Sequence, residues 1–345
     1  MLMVAFRDLQ WRRRRFVIAI IATGVVFAIT LLLSGMDSGF KNETVRTVDA
    51  FHTDAWVVPR GAAGPFTSPT AFPGDVVREV AALPGVRRAD PFVMTRVTWA
   101  HPAPKDVIVF GTPIGGIGPR VASGRAPRRA GEAAVDDSLG AGIGETILLS
   151  GRRLRVVGTF DGQTVFAGLA TIVMPIADAR ALAYASQTLA TAILTKGIPK
   201  RAPSGYKVLT NAAAIGDLRR PVKQATGTIS FLNALLWLIA AGIIGSLVYL
   251  TVLERTRDFA VLKATGVSSR TIYWTLALEA VIMAWAAAAV AAALSAVLSP
   301  ALTLRVEIST TAYVLLPVIA VIVGLLASLV GLRRAVSVDP ALAFG

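Results

Sequence analysis

The sequence predicts a membrane α-helical fold, four transmembrane helices in a 1 + 3 arrangement, with an α/β extracytoplasmic domain inserted between helices 1 and 2. Three observations predict it. Four long runs are nearly free of charge, the 192 residues between the first and second read as short strands and helices, and basic residues gather beside the runs. At 1.5 Å per residue, about 20 apolar residues cross a hydrocarbon core about 30 Å thick, and each run reaches that length.

Residues 1–15 open the chain. MLMVAFRDLQW places Leu2, Phe6 and Leu9 on one side and Arg7 and Asp8 on another, an amphipathic helix suited to the inner membrane surface, and Arg12 to Arg15 follow it. The first span is 16–36. Its apolar core exceeds the roughly 7–15 residues of a secretory signal and no A-x-A site follows, so it reads as a retained anchor.

Residues 37–228 form the inserted domain and its stalk. Asp54–Pro59, Pro91–Ala100, Asp106–Phe110, Thr146–Leu149, Leu154–Phe160 and Thr171–Met174 are β-branched or aromatic runs bounded by Gly and Pro, hence strands. Asp75–Leu83 and Ile176–Tyr184 carry helical spacing, with Pro84-Gly85 closing the first. Gly61–Gly74 reads as an exposed loop, and 202–228 as a polar helical stalk. The second span is 229–253, without charge; the third, 271–298, is broken only by Glu279; an outer loop covers 299–311; the fourth span is 312–332; and 333–345 is a tail.

The segment 254–270 between spans two and three carries the most information. Glu254, Arg255, Arg257, Asp258 and Lys263 share a helix with Phe259, Val261 and Leu262, whose spacing forms an apolar stripe beside the charges. Gly266 is placed to end this helix in the left-handed conformation, and Ser268 or Ser269 to cap the next. The pattern is a short two-faced helix, a contact surface at the membrane. An acid inside a span, Glu279, costs about 2.5–3.5 kcal/mol if it meets lipid, so it is expected to face a cavity or a partner group. Small residues at Ala241/Gly245, Gly242/Ser246 and through Ala286–Ala293 allow close helix approach, within the chain or between subunits.

Charge orients the chain. Residues 1–15, 254–271 and 333–345 hold eleven Lys/Arg and four Asp/Glu in 46 positions, whereas 37–228 holds 23 and 15 in 192. The denser positive charge belongs on the cytoplasmic side, so both termini are expected inside and the large domain outside. The net charge of +14 does not signal nucleic acid, because no basic stripe interleaved with aromatics occurs; anionic membrane lipid accounts for the inner basic flanks. The chain has no Cys and only His52 and His101, which excludes thiol chemistry, Cys-based metal sites and an H-E-x-x-H site. There is also no G-x-x-x-x-G-K-S/T loop to hold phosphates, so ATP hydrolysis is not expected in this chain.

Glu254–Ile272 resembles the pattern E-R-x-R-D/E-F/I-x-V/L-L-K/R-A-x-G-x-S/T-x-x-x-I/L found between spans two and three of permease subunits in the MacB, LolC/LolE and FtsX superfamily of ABC transporters. Glu254, Arg255, Arg257, Asp258, Leu262, Lys263, Ala264 and Gly266 occupy its positions. LPGVRRADP (83–91) and SGRAPRRAGEAAVDDSLGAGIGETILLSGRRLRVVGTF (123–160) resemble that family's periplasmic core domain: a G-R turn, an acidic strand, a small-residue helix, a turn and a strand ending V-V-G. RRAVSVDPALAFG resembles its C-terminal tail, with Phe344 where the pattern has Leu.

The resemblance implies a bacterial cytoplasmic-membrane permease. The charged segment would be the coupling helix, seated on a separate ABC ATPase present in two copies that carries the ATP and Mg; this chain holds no cofactor of its own. A homodimer, or a heterodimer with a related permease, would bring eight spans together. Movement of the outer domain would extrude a hydrophobic, lipid-like or peptide-like substrate, with an extracytoplasmic partner protein as a further expectation. The alternative, resembling the FtsX branch, is mechanotransmission that switches on a cell-wall hydrolase without transport; an outer domain of this length is longer than that branch usually carries.

Overall fold

A computed structural model describes residues 13–99, 104–184, 188–299 and 306–336. The amphipathic N-terminal segment through residue 12, His101 and the tail beyond Val336 lie outside the described residues. The chain divides into two compact units, Met1–Gly39 with Thr226–Gly345, and Phe40–Ala225.

Seven α-helices are described: α1 (Arg13–Ala50), α2 (Val76–Ala81), α3 (Ile176–Ala183), α4 (Asn211–Glu254), α5 (Thr256–Ala264), α6 (Ser269–Leu298) and α7 (Thr310–Val336). Three of them, α1, α4 and α6, are long and apolar enough to cross a membrane; the described apolar part of α7, Thr310–Leu326, is shorter. Backbone polar groups find no water in hydrocarbon, and a helix satisfies them internally.

The apolar unit packs around small residues. Ala280, Ala284, Ala287, Ala288 and Ala291 line the buried face of α6 and meet Phe27 and Leu31 of α1, Ala240 and Ile244 of α4, and Leu316 and Ala320 of α7. Phe27 and Trp237 lie with ring centroids 5.1 Å apart. The small-residue pairs of α4 divide: Gly245 is buried and Ala241 packs on this core, whereas Gly242 and Ser246 are exposed. At Gly324 the approach is closest to backbone, since a Cβ there would lie 3.1 Å from the Ala280 carbonyl oxygen on α6.

The second unit is an α/β domain. Its strands are β1 (Ala55–Pro59), β2 (Phe72–Pro73), β3 (Arg88–Trp99), β4 (Lys105–Thr112), β5 (Ser123–Gly124), β6 (Glu132–Asp136), β7 (Thr146–Leu149), β8 (Arg152–Phe160), β9 (Thr164–Val165), β10 (Leu169–Pro175), β11 (Leu189–Ala190), β12 (Ala192–Lys196) and β13 (Tyr206–Thr210). The main sheet runs β13-β1-β12-β3-β4-β10-β6-β8-β5, with β7 paired to β3 and β8, and β9 paired to β10. It is mixed: β10 with β4 and β6 with β8 are parallel, the other pairs antiparallel. Phe51, Trp56, Phe66, Phe92 and Phe110 form an aromatic cluster in which Phe51 packs edge-on against Trp56, Phe92 and Phe110, with centroids 5.2–5.4 Å apart. Val48 and Phe51 of α1 and Ala214 and Leu218 of α4 belong to the same buried cluster.

Three expectations need correction. Gly61–Gly74 is not simply an exposed loop, because Ala62 and Phe66 are buried in the aromatic cluster; its one continuous exposed run is the tip, 68–71. The region read as stalk begins with a strand, β13, which pairs with β1 from Ala55↔Thr210 to Pro59↔Tyr206. The small-residue helix of the family pattern is one 3-10 turn, Asp137–Leu139, capped by the Asp136 carboxylate accepting from the Ser138 amide at 3.1 Å and ended by Gly140 at φ +70°.

Glu132 starts β6 with its carboxylate accepting from Arg125 at 2.5 and 2.7 Å and from the Arg128 amide at 2.8 Å. The Arg125 guanidinium and these amides hold its carboxyl at about 2, below the usual carboxylate value. Because the folded state binds the proton more weakly than the unfolded chain, this contribution is complete above pH about 4.5 and disappears as pH falls toward about 2.

Two outcomes follow from this packing. Glu132→Gln lowers protection of β6 and β8 amides at pH 7 and flattens the loss of protection on acidification across that window, read by hydrogen exchange of the whole chain in detergent. Gly324→Val forces a branched side chain against the α6 backbone and destabilises the apolar unit by about 1–3 kcal/mol, read from its unfolding midpoint in mixed micelles.

Candidate coupling segment

Helix α4 gives way to α5 at a single residue. The Arg255 amide is shared between the Thr251 and Val252 carbonyls at 3.2 Å each, the bifurcated pattern of a helix terminus. Thr256 Oγ1 donates to the Leu253 carbonyl at 2.8 Å, covering one of the last acceptors of α4. Arg255 Nε lies 3.7 Å from Asp258 Oδ2; the Arg255 side chain is largely buried and that of Asp258 exposed.

The other end is closed by glycine. Val267 N–H donates to the Leu262 carbonyl at 2.9 Å across Gly266, which stands at φ +88°. This is the six-to-one bond of a Schellman end. Ser268 then caps α6, its hydroxyl accepting from the Thr271 amide at 3.3 Å. Of the two serines considered from sequence, the cap is therefore Ser268.

Between these ends α5 turns Ala260 fully inward, while Asp258, Val261 and Leu262, neighbours at i, i+3 and i+4, face outward; Val261 is 46% and Leu262 39% exposed. Glu254 is exposed at the end of α4. The side chains of Arg257, Phe259 and Lys263 lie outside the described ones. The outward surface thus combines charge with two aliphatic side chains, whereas among the described side chains of α5 the buried one is an alanine. Glu279 is 3% exposed on the face of α6 that carries Leu276, Ala280 and Met283, turned away from the surroundings of the bundle.

Among the described residues no group of His, Asp or Glu is arranged to hold a metal ion. In the α/β domain an open hollow of about 450 Å³ is lined by Pro73, Gly74, Asp75, Val77, Pro91, Arg180 and Thr188. There Arg180 Nε donates to the Leu189 carbonyl at 2.6 Å, and burial lowers the guanidinium's pKa. Sequence reasoning gave no sign of two buried acids on the long helices, Glu43 and Asp217, because each lies in a polar stretch that reads as solvated.

The turn between α5 and α6 yields a direct check. A Cβ at Gly266 meets no atom within 4 Å, so Gly266→Ala adds backbone strain alone, about 1–2 kcal/mol. Ser268→Ala removes the cap at about 1 kcal/mol. Both variants speed amide exchange at 265–271 and leave α4 unchanged.

The family model for a MacB-like periplasmic core domain matches residues 17–203, and that for the FtsX-like permease C-terminal region matches 230–340. An uncharacterized ABC transporter permease of Mycobacterium tuberculosis (strain ATCC 25618 / H37Rv) is 46% identical over 347 residues, covering 100% of this chain and 99% of its own. A Staphylococcus haemolyticus (strain JCSC1435) protein named as a hemin transport system permease, HrtB, is 19% identical over 99% of both chains. The crystal structure of the periplasmic region of MacB from Actinobacillus actinomycetemcomitans covers 49% of this chain and 93% of its own, at 10% identity and a TM-score of 0.35. With one core-domain match over more than half of its length, a second over its C-terminal helices and a full-length relative at this identity, the chain belongs to the MacB/FtsX family of ABC transporter permeases.

Proposed function

We propose that this permease transmits ATP hydrolysis, performed by a separate ATP-binding subunit in two copies, into movement of its α/β domain. The observation that carries the reading is α5: a nine-residue helix held between α4 and α6, closed by a glycine at one end and presenting Asp258, Val261 and Leu262 outward. In this reading Glu254, Arg257, Asp258, Phe259, Leu262 and Lys263 form the surface that docks on the ATPase, the largely buried Arg255 braces Asp258 from behind, and Gly266 sets the bend. A mixed charged and aliphatic surface of this kind suits a groove whose rim is polar and whose floor is apolar.

The remaining architecture goes with it. Helix α7 is the fourth span, both termini and α5 are cytoplasmic, the α/β domain lies outside the bacterial inner membrane, and the permease pairs with a second copy or a related chain. Glu279 serves as a buried intramembrane acid in the span packing. The cargo is a hydrophobic, lipid-like or peptide-like compound extruded on the outer side. The hemin of the HrtB name, a largely apolar molecule, agrees with that class.

The test is association and ATPase activity of the co-purified ATP-binding subunit with wild type and with Glu254→Ala/Leu262→Asp. Removing a charge and inserting one at the exposed aliphatic position weakens association by about tenfold or more while the permease still inserts. Unchanged association and activity would reject α5 as the docking element.

A further inference from the structure

We infer that Glu43 and Asp217 are the fasteners through which movement of α1 and α4 enters the α/β domain, an inference that rests on the coupling reading above. Both acids lie on helices that continue without interruption into the apolar unit, α1 across residues 13–50 and α4 across 211–254. Both are buried, Glu43 at 6% and Asp217 at 2% exposure. An ionised carboxylate removed from water is costly unless hydrogen-bonded, and each of these is satisfied by backbone amides of a loop in the α/β domain.

Glu43 accepts from the Ala167 and Gly168 amides, both at 2.9 Å. Phe166, Ala167 and Gly168 stand at φ +52°, +66° and +100°, a left-handed run that costs energy at the two side-chain-bearing residues and needs outside support. One turn further along α1, Thr47 Oγ1 donates to the Thr164 carbonyl at 2.9 Å, so the β9–β10 hairpin is held from both sides. Asp217 accepts from the Phe66 and Thr67 amides at 2.9 and 3.1 Å and from the Thr67 hydroxyl. Gly64 lies directly against its carboxylate, where any Cβ would collide. Arg219 Nε donates to Thr44 Oγ1 at 3.2 Å, joining the two helices beside their fasteners.

The two grips fall on different parts of the sheet. Glu43 holds the hairpin that feeds β10, and Asp217 holds the loop that leaves β1. In sheet order β12, β3 and β4 stand between those strands. Rotation or translation of either helix is therefore delivered to its own strand through a carboxylate, without slip across an apolar contact.

The full chain, in lipid nanodiscs with its co-purified ATP-binding subunit, allows a test by amide exchange with and without ATP and vanadate. Wild type is expected to change protection at Phe66–Thr67 and along β10 on adding ATP. Glu43→Gln and Asp217→Asn, similar in size, raise local opening at the gripped amides by about 10- to 100-fold. They also abolish the ATP-dependent change, while ATPase association and β3–β4 protection stay as in wild type. Because the chain contains no cysteine, Thr67→Cys/Asp217→Cys gives a single introduced cross-link. Oxidised, it restores the ATP-dependent change; reduced, it loses it, which a merely stabilising role for the charge would not produce. Retention of the change in the amide variants, or an oxidised cross-link that stays inert, overturns the inference. Absence of any ATP-dependent change in wild type rejects the coupling reading itself, and the inference with it.

Discussion

Hydrocarbon accepts no unpaired peptide group, and that constraint governs the rest of this structure. It makes the apolar runs helices, and a helix once formed has no reason to stop where the hydrocarbon stops. Helix α1 continues from its apolar run to Ala50, and α4 begins at Asn211, well before its own run. The ends of both helices supply Val48, Phe51, Ala214 and Leu218 to the aromatic cluster of the α/β domain. The domain core is thus partly built from the same helices that the membrane demands.

The two units are held by different forces. In the apolar unit lipid is as apolar as leucine, so stability comes from close approach, and alanines along α6 with Gly324 on α7 supply it. The α/β domain gathers its apolar side chains away from water and adds charge-assisted bonds where loops need fixing. Glu132 gathers Arg125 and two successive backbone amides, and Asp178 accepts from the Gly131 amide at 2.8 Å at the same turn.

What the sequence disclosed followed the strength of the local signal. Long charge-free runs and β-branched segments bounded by Gly and Pro announced the helices and β1, β3, β4, β7, β8 and β10, because length and alternation are local properties. Gly266 and a serine cap at 268 or 269 were legible for the same reason, and the structure chose Ser268. β12 and β13 were missed: Ala192–Lys196 and Tyr206–Thr210 are five residues each, and their strand state is imposed by pairing with β1 and β3. Phe66 was lost among Gly, Pro and Ser; Phe51, Trp56, Phe92 and Phe110 bury its ring, and an aspartate 151 positions away holds its amide. No periodicity reports such a contact. In α5 the charged character of the segment was plain, but which side faces inward was not, since among its described side chains Ala260 is buried while Val261 and Leu262 are exposed.

Pro221 gives α4 a character that α1 lacks. It has no N–H to offer the carbonyl of Asp217 one turn earlier, so the helix is weakened immediately beyond its grip on the domain. α1 contains no proline. For the evolution of the chain, the spacing of Glu43 and Thr47 on α1 is the constrained length. A one-residue insertion between them turns one about 100° from the other and advances it about 1.5 Å. That parts two bonds that hold the same hairpin, whereas the exposed tip at 68–71 is free to lengthen.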